Sequence, residues 1–277
     1  MVGTAVRQHG YVEFQGEGQQ EGDWRFFRAR GKTFLVEWCG ATRPKAILER
    51  LSADETIVVF PKTGGSIEAE GSTTAVPDRA IAIVPAGAFK ISVSDEQTVL
   101  LLSPIRVGGS HVPAFNERDY DDSGPEGMQA LASATSVRRR LQIIAVDDIV
   151  PPTDKPRLKI IRSETMSVSW IEYEGLRDRS KLSPHDHPDF EQGSLAIEGA
   201  FIHHLRTPWG ANATEWRDDV HLEAIPRSLC IIPPRMIHTT EGEGDGKHVL
   251  LDIFAPARAD FVSQGWVFNQ AEYATEK

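Results

Sequence analysis

Short apolar runs recur along the chain at intervals too brief for long helices. In the first half they are Thr33–Trp38, Thr56–Phe60, Ala80–Val84 and Thr98–Leu102, and in the second Leu158–Ile161, Met166–Tyr173, Leu195–Ile197 and Val249–Phe254. They are rich in β-branched and aromatic residues and bounded by Gly, Pro or Asp, which is the pattern of strands in an all-β domain. The best helical candidate is Met128–Leu141, which follows the turn-rich stretch Asp121–Gly127. On either side of that loop the chain echoes itself. Val99–Arg106 resembles Val249–Arg258 and Ala82–Lys90 resembles Cys230–His238, in the same order. A duplication is the economical explanation. The pattern therefore predicts two antiparallel barrels: one over residues 1–110, a linker with a short helix over 111–150, and a second over 151–277.

Composition narrows the setting. Of 277 residues, 40% are apolar and 25% charged, as in a soluble globular protein, and no run approaches the ~18 apolar residues of a membrane span. The N-terminal Met1–Gly10 stretch has no apolar secretory core, so a cytoplasmic location is expected. Cys39 and Cys230 lie one in each half, which favours two buried thiols over a disulfide framework. The formal charge of -10 argues against a nucleic-acid surface, and the basic triplet Arg138–Arg140 is too short to change that.

Candidate chemistry concentrates in the second half, where seven of the nine histidines lie between positions 185 and 248. On a strand, residues two apart share a face, so His185 and His187 present their imidazoles together. Glu191 and Gln192 follow, and His238 comes after the Pro233–Pro234 turn on what should be a later strand. Three imidazoles and one oxygen donor suit a divalent Zn, Fe, Mn, Ni or Cu ion. With Gln192 as fourth ligand every donor is neutral and the ion keeps its full charge, whereas Glu191 would reduce that charge and could act as a base.

The stretch Ser183–Gly199 resembles the first metal motif of the cupin superfamily, His-x-His, a short gap, an acid, six residues and a glycine. With a four-residue gap the acid slot falls on Gln192, and Gly199 is correctly placed. Pro233–His238 is similar to the second motif, Pro-x-Gly-x-x-His. Three positions depart from the pattern: Gln192 replaces the acid, Arg235 the second motif's glycine, and Arg179 the first motif's opening glycine. The run His185–Gly193 together with Asp252–Phe261 resembles the pectin-degradation cupins that open unsaturated uronates and also use Gln as a ligand. This closer resemblance covers roughly residues 160–262. It implies a bicupin, two double-stranded β-helix (jelly-roll) barrels in tandem, with metal held by His185, His187, Gln192 and His238. Gln192 is favoured over Glu191, and both stay open at this point.

Aligning the halves puts Glu49 and Leu51 opposite the histidine pair and Lys90 opposite His238, so the first barrel is expected to hold no metal. Glu191, His203 and His204 are candidates for moving protons. Arg206, Trp209, Arg235 and His221 are candidates for lining the mouth, an arginine gripping a carboxylate. His248 reads as solvated and Trp266 as covering a barrel edge or a dimer contact. Trp170 and Tyr173 fall on opposite faces of one strand, so one belongs to the core. No Walker loop, dinucleotide fingerprint or Cys-x-x-Cys pair is present. The expected function is a metal-dependent enzyme, with one divalent ion (Fe, Zn, Mn or Ni), acting by Lewis-acid chemistry on an oxygenated, anionic small molecule. The alternatives are an Fe(II) dioxygenase of a diketone, catechol-like or flavonol substrate, and a non-catalytic sensor. A homodimer is expected, with no nucleic-acid or membrane partner.

Overall fold

The computed structural model describes residues 6–106, 111–120 and 140–273. The helix expected over 128–141 lies, but for its last two residues, outside them. The first strands are β1 (Gly10–Glu13), β2 (Gln19–Glu21), β3 (Trp24–Arg30), β4 (Phe34–Ala41), β5 (Ile47–Ser52) and β6 (Thr56–Phe60). They continue as β7 (Gly65–Ala69), β8 (Ser72–Val76), β9 (Ala80–Val84), β10 (Gly87–Ser92) and β11 (Thr98–Pro104). The second half adds β12 (Gln142–Ala145), β13 (Leu158–Arg162), β14 (Ser167–Glu174), β15 (Gln192–Glu198) and β16 (Ala200–Arg206). It closes with β17 (Val220–Ala224), β18 (Ser228–Ile232), β19 (Ile237–Glu243) and β20 (Lys247–Phe254), followed by the short helix α1 (Ala259–Ser263). No helix among the described residues is long and apolar enough to cross a membrane.

The strands form two barrels of the same plan. In the first, the sheet β12-β9-β6-β11-β4-β3-β2 faces the sheet β5-β10-β7-β8. In the second, β1-β18-β15-β20-β14-β13 faces β17-β16-β19. Reading the sheets against each other matches β9 with β18, β6 with β15, β11 with β20 and β4 with β14, as a duplication requires. Two strands lie across the boundaries expected from sequence. β1 pairs antiparallel with β18 of the second barrel, Tyr11 opposite Cys230, and β12 pairs with β9 of the first, Ile143 opposite Ala82. The physical reason is the sheet edge. Each large sheet would end on an unpaired strand, and each is covered by the segment that precedes the other barrel.

The large sheets pack against each other, and this decides why their strands read as continuous apolar runs. On β11, Leu100 and Leu102 join the core between the barrels while Val99 and Leu101 point inside the first barrel. On β20, Leu251 and Ile253 face the inter-barrel core, and Leu250 and Phe254 face inward. A strand buried on both faces loses the alternation of a half-exposed one. Inside the first barrel, Trp24, Phe26, Phe60, Phe89 and Ile91 fill the space in one cluster. The second barrel's inner residues fall into three smaller clusters that leave a cavity of about 500 Å³.

Candidate metal centre

The cavity is walled by β14, β15, β19 and β20, and the strand register assigns its layers. On β15, Gln192, Ser194 and Ala196 point inward opposite Phe254, Asp252 and Leu250 of β20. Asp252 in turn lies opposite Ser169 of β14. The turn after β18 brings the Pro233–His238 segment back, so that the amide of His238 donates to the His185 carbonyl at 2.8 Å and that of His185 to the His238 carbonyl at 3.0 Å. Arg235, in the glycine slot of this turn, has φ +67, and its amide donates to the His187 carbonyl at 2.6 Å. The backbone needs a left-handed residue here, which is why the motif carries glycine, and the arginine bears the strain.

His185, His187 and His238 come together with their donor atoms within 4.8 Å of one another. His187 and His238 are buried and His185 is exposed. Burial, reinforced by neighbouring positive charge, takes His187 down to about 3 and His238 to about 4, so both rings are neutral at pH 7. The Nδ1 of His238 donates to the Met236 carbonyl at 2.9 Å and that of His185 to the Ser183 carbonyl at 2.9 Å, which leaves both Nε2 atoms as lone-pair donors. Gln192 is oriented by an equally directional chain. Its Nε2 donates to Ser194 Oγ at 3.0 Å, and that hydroxyl donates to Asp252 Oδ1 at 2.6 Å. The amide oxygen is thereby aimed at His187 Nε2, 3.0 Å away, and at His238 Nε2, 3.2 Å away. A neutral His238 whose proton is committed to a carbonyl presents a lone pair to another lone pair. In a buried site that arrangement is costly unless a cation lies between them.

Glu191 is the neighbour of Gln192 and points the other way. Its carboxylate accepts from Arg7 Nη2 at 2.5 Å and from the Lys32 amide at 2.6 Å, in the seam between the barrels. It neither joins the histidines nor reaches the cavity, because consecutive strand residues face opposite sides. The same alternation separates the two candidate proton carriers on β16. His203 is fully buried, shares a hydrogen bond with Thr240 Oγ1 at 2.8 Å and does not line the cavity, while His204 lies on the outer face beside His221 and Glu241. Arg206 is held at the surface by Asp219, Trp209 stacks on Trp216 with ring centroids 4.6 Å apart, and neither these two nor Arg235 lines the cavity.

Of the remaining residues, Trp170 falls where it is expected and His248 does not. Trp170 is core and Tyr173 lines the cavity; Trp266 lines it too, and His248, expected in solvent, is buried and stacked on Tyr173 at 5.1 Å. Asp252 and Arg258 are cavity residues that received no site role from sequence. The signal was their alternation with the apolar residues of β20 and its continuation. Burial raises the Asp252 carboxyl to about 6, against the lowering effect of the Ser194 hydroxyl and the nearby positive groups. Arg258 is buried, bonded to Asp260, and its guanidinium lies 4.1 Å from the Phe261 ring centroid.

No family model matches the sequence and no curated protein matches it. Solved structures do match. A chain described as a glyoxylate-induced protein from Pseudomonas aeruginosa aligns over 92% of both chains with a TM-score of 0.58 at 14% identity. The oxalate decarboxylase of Lactobacillus farciminis, solved with formate, covers 100% of this chain and 98% of its own with a TM-score of 0.60 at 14% identity. That of Bacillus subtilis, studied for its Mn(II) centres, covers 99% of this chain and 88% of its own with a TM-score of 0.61 at 14% identity. The fold is that of a bicupin. The sequence echo sets Glu49 and Lys90 opposite His185 and His238; in the structure they face each other across β5 and β10 and form an ion pair at 3.1 Å with side chains 70% and 44% exposed. They lie on the outer surface of the first barrel, and Leu51 beside them is 82% exposed.

Proposed function

We propose that this bicupin is a metal-dependent enzyme of small organic acids, its single site lying in the second barrel. His185, His187, His238 and the Gln192 carbonyl oxygen hold the ion. The observation that carries this reading is the pair of lone pairs, His238 Nε2 and Gln192 Oε1, confronting each other at 3.2 Å in a buried site. Four neutral ligands leave a divalent ion its full charge, and the chemistry it supplies when bound is Lewis acidity towards a carbonyl or hydroxyl oxygen. The chain's own groups complete the site. Asp252, held by Ser194 on the cavity wall, takes the role of proton carrier that sequence assigned to Glu191 or the His203–His204 pair. Burial raises the proton affinity of this carboxyl, which suits it to take up and return a proton on the cavity wall. Arg258, its orientation fixed by Asp260 and three aromatic rings, supplies positive charge beside it. Oxalate decarboxylases of the same fold act on a small organic acid, and Mn(II) centres are described in one of them, which supports the class without fixing the reaction.

Elemental analysis of protein purified with and without air tests the reading. One equivalent of metal per chain, lost in His187→Ala, is expected, with activity on unsaturated uronates or related hydroxy acids persisting anaerobically in the zinc or nickel form. Activity that requires Fe(II) and dioxygen would instead select the dioxygenase reading. Stoichiometric metal in His187→Ala would refute the site.

A further inference from the structure

The cavity has a second chemical feature at the end remote from the histidines. Arg157 and Arg177 both line it. The Arg157 guanidinium lies over the Tyr173 ring at 5.6 Å from its centroid, and Arg177 Nη1 donates to the Thr240 carbonyl. Among the described residues neither has a carboxylate within ion-pair distance. Asp260 is engaged by Arg258, Asp252 by Ser194, and Asp154 makes no ion pair with either arginine. Two guanidinium groups therefore share one cavity with no carboxylate bonded to either, and Glu241, which attracts Arg177 from further off, is itself engaged by Arg179 and His204, in a chain whose net charge is -10. Burial first, and repulsion from Arg157 second, push the Arg177 guanidinium below its ordinary value.

The register places this pair. Thr240 lies two residues along β19 from His238, about 7 Å, and Tyr173 lies four residues along β14 from Ser169, the partner of Asp252, about 13 Å. Between them the wall carries Ile171, Leu250 and Phe201, which are apolar. A ligand spanning the cavity thus meets the metal ligands at one end, an apolar middle, and two guanidinium groups not paired with a carboxylate at the other. Arginine pairs suit planar oxyanions because the guanidinium fork donates two parallel hydrogen bonds to a carboxylate.

We propose that Arg157 and Arg177 form a carboxylate-binding subsite, so that the substrate is an elongated organic acid carrying a carboxylate at the end opposite the metal-bound oxygens. This rests on the metal reading for which end reacts, but the anion subsite is separately measurable. Full-length protein, zinc-loaded and zinc-free, is titrated calorimetrically with dicarboxylates from malonate to suberate and with the monocarboxylate of each length, zinc being assayed in the same samples. Adipate is expected to bind at least about tenfold more tightly than hexanoate. The Arg157→Gln/Arg177→Gln double variant should lose that advantage while its hexanoate affinity, zinc content and melting temperature stay unchanged. Equal affinities for each length-matched pair, or a double variant that keeps the preference, would overturn the proposal. Inorganic phosphate displacing adipate at lower concentration than acetate or succinate does would assign the subsite to a phosphoryl group and overturn the carboxylate. An arginine-dependent preference in samples that bind no zinc would uphold the subsite and refute the metal centre; zinc binding with no preference would do the reverse.

Discussion

The site is set by the direction of a few hydrogen bonds. Ser194 is the hinge of that arrangement, since it accepts from the Gln192 amide nitrogen and donates to Asp252. Ser194→Ala should leave the fold intact, free the amide to turn its nitrogen towards the histidines, and weaken metal retention about 10–100-fold in a chelator competition. Unchanged affinity would show that packing alone orients Gln192. Gly199 carries a different constraint. Its φ is +80, and an added Cβ would lie 2.6 Å from the Lys247 carbonyl oxygen. Gly199→Ala should therefore cost about 2–4 kcal/mol in denaturant unfolding. At this scale the histidines were readable because ligand spacing is a sequence property. Arg235 was readable only as a departure, since a left-handed backbone position leaves no mark when the residue there is not glycine. Asp252 was hidden because a carboxylate flanked by Leu251 and Ile253 belongs to the inner face only once β20 is known to be buried on both sides.

At the scale of elements, the strands with strong apolar runs were legible and the connecting ones were not. β8 has four of its five residues exposed, and β1 is a short mixed segment, so neither carries a periodic signal. The exchange of β1 and β12 between barrels is equally silent in sequence, because pairing partners are chosen by where an open edge lies. Its mechanical role is testable. Removing residues through Glu13 uncovers the edge of β18 and deletes Arg7, one of the two groups holding Glu191. The truncated protein should melt several degrees lower and scatter light at concentrations where the full chain does not. Arg7→Ala, which spares the strand, should lower the melting temperature without the aggregation. Indistinguishable behaviour of the truncation and the full chain would mean that β1 contributes nothing to the second barrel.

Across the whole molecule the barrels are joined by apolar sheet faces and by a polar clasp. Glu172 of β14 accepts from Lys247 at 2.6 Å, from Arg79 of the first barrel at 2.8 Å and from Trp170 Nε1 at 2.9 Å. Burial alone would raise this carboxyl, but the three donors outweigh it and take the group from its ordinary 4.5 down to about 2. A folded-state value below the unfolded one means that the clasp stabilises fully above pH 4.5 and fades as pH falls towards 2. Glu172→Gln should cost about 1–2 kcal/mol at pH 7, allowing for solvent screening, and its deficit against the natural protein should close across that window when melting is followed against pH. A deficit that persists at pH 2 would point to lost packing instead. The duplication itself was legible from order-preserving echoes, whereas the filled interior of the first barrel and the hollow one of the second differ by side-chain volumes distributed over many strands.

The exchanged strand also bears on synthesis. Gly10 pairs with Ile231, so β1 leaves the ribosome long before its partner exists. At about 5–20 residues per second the wait is on the order of 10–40 s. During that interval the early β-strand is without its partner. The nascent chain is thus exposed to misassembly until β18 has been made, and only then does the early strand close the second barrel's sheet.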